Sequence, residues 1–347
     1  MIFRQCYDDA SSTYTYLLAD EVSREALLID PVFGQAVRDL ALVQELGLTL
    51  KLVVETHAHA DHVTAAWLLK QETGCAIASA RAMGAEHVDL PLDEGDEFGV
   101  GDVRLRALST PGHTDGCMSH VLADESMVFT GDALLIRGCG RSDFQQGSPK
   151  RLFQSITQKL FALPDACLVY PAHDYNGRTV STIGEEKRFN ARAGGGANER
   201  DFVEYMQVMR LPHPKLIEEA VPANLRSGRP EDGKLPEAPD WAEIRVTYAG
   251  VPEIDIEWLE QHLGEVTVLD VRGSDELAES PETVELVDLH IPLHELRDRL
   301  DEVPSEKPVV ALCRSGRRSS LAVKILRDAG HERVASLSRG LRQRSHA

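Results

Sequence analysis

The sequence, 347 residues long, predicts an α/β protein built as two domains, and three observations carry that expectation. The chain is too long for one average domain of about 100–150 residues. Short apolar runs alternate with stretches of helical spacing in both halves. Between the halves lies a polar stretch rich in Pro and Gly, 227–240, preceded by breakers at Gly194-Gly195-Gly196, Pro212, Pro214 and Pro222. We expect a first domain over 1–226, a linker over 227–243 and a second domain over 244–347.

Along the first domain, segments 13–19 and 25–30 read as a hairpin. Val37, Leu40, Ala41 and Leu46 recur at helical spacing over 35–46, and Gly47 stops the helix. A buried strand over 50–56 precedes a helix over 63–72, which Gly74 closes. Strands follow over 75–80, 103–108, 127–130 and 168–170, with a helix over 149–163 that has Pro149 in its first turn. In the second domain we read helices over 256–263, 294–300 and 319–329 and strands over 266–271, 284–289, 309–312 and 334–337. Near-continuous apolar strands between helices indicate a parallel sheet there.

Hydrophobic residues at 42% and charged residues at 27% describe an ordinary globular composition. The formal net charge of −19 argues against nucleic acid and anionic membrane as partners, because both repel such a field. No run of about 18 apolar residues occurs that could span a membrane. Met1-Ile2-Phe3-Arg4-Gln5 has neither an apolar signal core nor an Arg/Ser-rich transit composition, so a cytoplasmic protein is expected. Six cysteines are scattered without CxxC pairing, which suggests neither a zinc knuckle nor a disulfide framework.

The stretch Thr56-His57-Ala58-His59-Ala60-Asp61-His62 places three imidazoles and a carboxylate at the exit of the strand over 50–56. Later strands exit into His113, Asp132 and His173. His and carboxylate are the ligand types shared by divalent iron, zinc and manganese. Four ligand-bearing turns after four apolar strands indicate one shared metal site at one edge of a sheet sandwich, with His57, His59, Asp61, His62, His113, Asp132 and His173 as candidate ligands.

The ordered motifs THAHADH, PGHT, GD and PAHDY resemble those of the metallo-β-lactamase superfamily, which implies an αββα sandwich over about residues 4–192. Two families within it compete. Glyoxalase II-type hydrolases use the whole ligand set to hold two zinc ions and hydrolyse a thioester. Persulfide dioxygenases hold one ferrous ion, Fe(II), per chain through two histidines and a carboxylate. The stretches Thr110-Pro111-Gly112-His113-Thr114-Asp115-Gly116-Cys117, 130–141 and 170–175 resemble the second family. That resemblance implies His57, His113 and Asp132 as iron ligands, with His59, Asp61, His62 and His173 orienting them. It also implies Tyr175, Arg192 and Arg141 as contacts for glutathione, and O2 and glutathione as co-substrates.

Near the C-terminus, the apolar strand over 309–312 runs into Cys313-Arg314-Ser315-Gly316-Arg317-Arg318-Ser319-Ser320. A thiol above a ring of backbone N–H groups, at a helix start and among three arginines, has its thiolate favoured. The Cys-to-Arg spacing of cysteine phosphatases fails, since position 319 is Ser. The loop, with Leu269-Asp270-Val271-Arg272 upstream, resembles the rhodanese family over about 244–340. The resemblance implies a parallel-sheet α/β domain and Cys313 as a persulfide-carrying nucleophile. Arg314, Arg317 and Arg318 would steer an anionic donor, and Asp270 would support the loop. The ending 338–343 and the segment 280–287 depart from that family's pattern.

Joined, the two resemblances imply a fused enzyme of sulfur metabolism. Its iron site would oxidise glutathione persulfide to sulfite and glutathione, and Cys313 would move sulfane sulfur between thiosulfate and glutathione. The competing expectations are a binuclear zinc thioesterase with a rhodanese domain and a non-enzymatic persulfide or redox sensor. Self-association into a homo-oligomer is left open.

Overall fold

In the computed structural model of the chain, residues 1–209, 216–236, 239–279 and 285–342 are described; Pro212 and Pro214 lie outside them. The chain falls into two compact units, Met1–Leu235 and Pro236–Ala347. The expected linker over 227–243 straddles that boundary. Its first residue belongs to the first unit, since Ser227 is buried and its carbonyl accepts from the Trp67 N–H.

The first unit holds two six-stranded sheets. One runs β1 (Ile2–Asp8), β2 (Thr13–Ala19), β3 (Glu25–Ile29), β4 (Thr49–Val54), β5 (Ala76–Ala80) and β6 (Leu90–Leu92). It is antiparallel through β3 and parallel from there on, with α1 (Ala36–Glu45) and α2 (Ala66–Thr73) on the crossovers. The other runs β12 (Ser181–Thr182), β11 (Leu168–Pro171), β10 (Met127–Gly131), β9 (Met118–Leu122), β8 (Val103–Ser109) and β7 (Glu97–Val100). Here only β10 and β11 are parallel.

Period-two alternation sorts the strand residues into layers. Leu18, Leu27, Val54, Leu105 and Phe129 pack between the sheets. Leu17, Leu28, Val53 and Ile77 face away, in the cluster that holds residues of α1 and α2. Val121, Val128 and Val169 face the opposite side, with residues of α3 (Pro149–Gln154) and α5 (Glu199–Val208). The result is helix on sheet on sheet on helix, the αββα sandwich.

Differences from the expected elements are local. The helix expected over 63–72 starts later, at Ala66, because Thr64 bridges to Val32 and Ala65 N–H bonds to the Pro31 carbonyl. Ser148 caps α3 through its hydroxyl, and the helical path continues past Gln154 through wider and then tighter turns to Ala162. β1, β6, β7 and β9 were not expected. Nor were β12, α5 and the two helices on either side of α5, α4 (Ile183–Phe189) and α6 (Ile217–Asn224).

The second unit is one sheet in the order β13 (Arg245–Val246), β14 (Pro252–Ile254), β18 (Val334–Leu337), β17 (Val309–Leu312), β15 (Thr267–Asp270), β16 (Leu289–His290). All pairings except β13 with β14 are parallel. Its helices are α7 (Ile256–Gln261), α8 (Ser274–Glu279) and α9 (Arg317–Asp328). The strand expected over 284–289 begins outside the described residues, and only Leu289 and His290 pair with β15. The expected helix over 294–300 is instead two 3-10 turns, Leu296–Asp298 and Leu300–Glu302. Leu293, Leu296 and Leu300 still point inward, because spacings of three and four suit either kind of turn. Among the described residues, no helix is long and apolar enough to cross a membrane.

Tyr16 ties the two sheets together: it is 1% exposed, its hydroxyl donates to the Pro171 carbonyl at 2.6 Å, and it accepts from Gln5 Nε2 at 3.2 Å. Pro171 precedes His173, so this bond also fixes where β11 exits. Replacing Tyr16 by Phe should destabilise the first unit by about 1–2 kcal/mol, since a buried carbonyl loses its donor. Denaturant unfolding measures this, and an unchanged midpoint would contradict it.

Candidate metal centre

The exits of β4, β8, β10 and β11 bring together two groups of side chains. In one, single ligand atoms of His57, His113 and Asp132 lie within 4.8 Å of one another; the other comprises His59, Asp61, His62 and His173.

In the first group, hydrogen bonds fix which atom each residue presents. Asp30, at the exit of β3, accepts from the Thr56 N–H at 2.7 Å and from the Thr56 hydroxyl at 2.7 Å. With its proton committed to Asp30, the Thr56 oxygen can only accept, so at 2.9 Å it accepts a hydrogen bond from the His57 Nδ1–H. His113 Nδ1 donates to the Arg141 carbonyl at 2.6 Å. Both rings therefore offer an Nε2 lone pair, and His113 Nε2 lies 3.5 Å from Asp132 Oδ2. Burial lowers the pKa of both imidazoles and keeps them neutral, the form that ligates a metal. Burial would raise Asp132, but the charge of His173 and its hydrogen bond outweigh this and hold the carboxyl far below the usual range. Two neutral imidazoles and one carboxylate on one side of a cavity fit a divalent iron with further positions open.

The second group is organised by His173. Its Nδ1 donates to Asp132 Oδ1 at 2.6 Å and its Nε2 donates to Asp61 Oδ2 at 2.9 Å. Burial opposes a charge on this ring, but the two carboxylates prevail and raise its pKa well above the ordinary value. A ring with both nitrogens protonated has no lone pair for a metal. His59 turns toward Asp30 (3.2 Å) and Glu55 (3.7 Å). Burial pushes Glu55 up to about 8, with Asp30 adding to the rise. Asp61 is 3.2 Å from His62 Nδ1, while His62 Nε2 and His59 Nδ1 are buried without a hydrogen-bond partner. The Thr13 hydroxyl touches Asp61, His62 and His173 at 3.1–3.3 Å.

The first group opens into a cavity of roughly 270 Å³ whose lining includes Tyr175, Arg192 and Arg141. Tyr175 is 69% exposed and stacks parallel on His173, with 6.0 Å between ring centroids. Arg137, Arg141 and Arg178 also line the cavity, and each pairs with a neighbouring carboxylate. Arg192 instead donates to the Cys139 carbonyl, and among the described residues no carboxylate pairs with it. This wall hangs on Glu186, which is fully buried and accepts from Arg137, Ser181 and Asn190. Asn190 in turn donates to the Gly138 carbonyl at 2.9 Å and accepts from the Arg192 N–H at 3.0 Å.

In the second unit, Cys313 is buried at the end of β17, with its sulfur 3.5 Å from the Ser319 hydroxyl. Burial would raise the thiol, but that hydroxyl and the backbone N–H groups of Ser315, Arg318 and Ser319 lower its pKa. Arg318 is held by both oxygens of Glu276, at 2.5 and 2.8 Å, whereas Arg314 and Arg317 are exposed. Asp270 is fully buried and grips Arg272 through two guanidinium nitrogens at 2.7–3.1 Å, bracing the exit of β15. The atypical ending still pins the loop: Leu341 N–H bonds to the Cys313 carbonyl at 3.0 Å, and a Cβ on Gly340 would lie 2.3 Å from that oxygen.

Sequence reasoning missed Thr13, Asp30, Glu55, Glu186, Asn190 and Glu276. Asp30 alone carried a signal, because it ends a strand just as His57 and Asp132 follow theirs.

Residues 8–173 match the model of the metallo-β-lactamase superfamily, and residues 255–346 that of the rhodanese-like domain. The chain is 51% identical over 229 residues to the mitochondrial persulfide dioxygenase ETHE1 of Homo sapiens, covering 66% of this chain and 89% of that protein. It is similar to the crystal structure of ETHE1 from Myxococcus xanthus, with a TM-score of 0.64 and 51% identity over 66% of this chain and 100% of that one. A metallo-β-lactamase from Staphylococcus aureus shares the fold over 97% of this chain and 98% of its own, at 22% identity and a TM-score of 0.62.

The lowered thiol gives a direct test. Cys117, Cys139 and Cys167 are pushed by burial up to about 12, 11 and 11, so they stay protonated where Cys313 ionises. Ultraviolet absorbance of the thiolate, taken as the difference between the parent and Cys313→Ser, should titrate with a midpoint below the ordinary thiol value of about 8.5. Thiolate is then retained to lower pH than in a free thiol. A midpoint at or above the ordinary value would contradict the loop's role.

Proposed function

We propose one function for this chain, which belongs to the metallo-β-lactamase superfamily beside the persulfide dioxygenases and carries a rhodanese-like domain in its C-terminal part. The first unit oxidises glutathione persulfide with O2, and the second transfers sulfane sulfur between thiosulfate and glutathione through Cys313. In the first reaction glutathione persulfide, O2 and water give glutathione and sulfite, so the terminal sulfur loses the four electrons that O2 takes up. In the second, thiosulfate and glutathione exchange one sulfur to give sulfite and glutathione persulfide, the substrate of the first.

The observation that carries this reading is the double engagement of His173 by Asp132 and Asp61. It removes one ligand from any second ion and leaves His57, His113 and Asp132 as a set for one. A ferrous ion held by those three groups would supply the redox chemistry with O2. The remaining steps belong to the chain. Thr56 and the Arg141 carbonyl keep both imidazoles in the ligating tautomer. His173 holds a proton on Nδ1 against Asp132 Oδ1 and so commits that oxygen to a hydrogen bond. Arg192 offers a guanidinium to a glutathione carboxylate, and Tyr175 covers the cavity mouth. Cys313 takes up the sulfane sulfur as a persulfide, with Arg314 and Arg317 drawing in the anionic donor; Arg318, expected from the sequence to share that task, is instead neutralised by Glu276 and braces the loop. Six free thiols agree with a reducing, cytoplasmic setting.

A second reading, a binuclear zinc thioesterase, is favoured by one feature: His59 Nδ1 and His62 Nε2 are buried without partners beside Asp61 and His173. Metal content separates the two. One iron per chain with O2 uptake on glutathione persulfide supports the dioxygenase, and two zinc ions with hydrolysis of an acyl-glutathione support the thioesterase.

Replacing His113 by Ala should abolish iron retention and O2 uptake together, a larger loss than the ~10–100-fold typical when an outer partner is removed. An unaffected rate would refute the ligand assignment. Cys313→Ser should abolish sulfur transfer from thiosulfate while O2 uptake with added glutathione persulfide continues at the parent rate. Loss of both would point to obligatory coupling of the two units.

A further inference from the structure

The loop that carries His57, His59, Asp61 and His62 has almost no regular structure of its own between β4 and α2. Its backbone is braced from far along the chain, by the last residue of α6. Asn224 is 1% exposed and spends its whole amide on this loop. Its Nδ2 donates to the His59 carbonyl at 2.9 Å and to the His62 carbonyl at 2.8 Å, and its Oδ1 accepts from the Thr64 N–H at 2.8 Å. One planar group thus satisfies three buried backbone atoms. No other side chain of this size and shape supplies two donors and an acceptor in that arrangement.

The residues that follow press the same way. Ser227 receives the Trp67 N–H through its carbonyl at 2.9 Å and bonds the Glu86 carbonyl through its hydroxyl at 2.5 Å. Gly228 has φ +78° and lies so close that a Cβ would stand 2.0 Å from the Thr64 carbonyl oxygen. This brace lies outside residues 8–173, the stretch that matches the superfamily.

We infer that Asn224, backed by Ser227 and Gly228, is a positioning residue for the metal centre. It sets the path of the 57–64 loop, so metal retention is governed by a segment immediately before the boundary between the two units. The inference rests on His57, His113 and Asp132 being the metal ligands. A parent chain that binds no iron would defeat that assignment, whereas a parent that binds iron puts the brace itself to the test.

The test uses the full-length chain with ferrous iron as the probe. Asn224→Asp keeps the shape but removes both donors and sets a carboxylate against two carbonyls. Iron affinity, read by competition with a chelator well below the melting temperature of the metal-free protein, should fall by about tenfold or more, in the range seen for lost outer partners. The Michaelis constant for glutathione persulfide, measured on the iron-loaded fraction, should stay at the parent value because the cavity wall is braced separately by Glu186 and Asn190. A lower melting temperature with parent iron affinity would show a merely structural role and overturn the inference. Should Asn224→Asp fail to fold, Gly228→Ala decides: it leaves the amide in place and drives a methyl group into the Thr64 carbonyl. It should weaken iron binding in the same direction, and parent affinity in that variant would overturn the inference as well.

Discussion

The His173 imidazole, gripped by Asp132 on one nitrogen and by Asp61 on the other, is the pivot of the metal centre. Taking one cation and two carboxylates out of water is expensive unless the geometry is close and every lone pair is used. Here the contacts are short, and Thr13 fills in around them. The arrangement has a chemical consequence: a ring that donates from both nitrogens cannot ligate. It also ties up one oxygen of Asp132 and leaves the other for the cavity side. Under the proposed function, this engagement, made one bond away from the candidate ligands, is what would limit the site to one metal ion.

The same economy recurs around the site. Each candidate ligand is oriented by a group that is itself committed elsewhere, as Thr56 is to Asp30 and Arg141 is to Asp143. The sandwich supplies strand exits at one rim, and asparagines fasten the irregular backbone between them: Asn190 on the cavity wall and Asn224 on the metal loop. Buried loops carry backbone polar groups that no ladder satisfies, so a side-chain amide with both donors and an acceptor is a natural fastener.

In the second unit, counter-ions divide the arginines into two sets. Arg272 is bound to Asp270 and Arg318 to Glu276, and both pairs hold the architecture around Cys313. Arg314 and Arg317 remain exposed at the loop, where a charge can meet an incoming anion. The thiolate itself is stabilised mainly by backbone N–H groups and Ser319, which are already in place before any donor arrives.

Much of this arrangement was legible in the sequence because the candidate ligands are local. His57, His113, Asp132 and His173 each follow an apolar strand within a few residues, so a cluster of ionisable side chains at such an exit stands out against the run before it. The Cys313 loop was legible for the same reason, as a strand, a turn and a helix start in unbroken succession. Short or edge strands such as β1, β6 and β7 were not, since partly exposed segments carry weak periodicity. Nor were the partners that decide what the ligands do. Asp30, Glu186 and Asn224 meet their targets from 26, 49 and 160 or more residues away, respectively. The order of residues along the chain thus determined the fold class, the strand exits and the kinds of atom delivered to them. Which nitrogen faces the cavity, which carboxylate is already spent and which loop is held still were decided only by tertiary contacts, because hydrogen-bond partners are chosen by proximity in space and not by spacing in sequence.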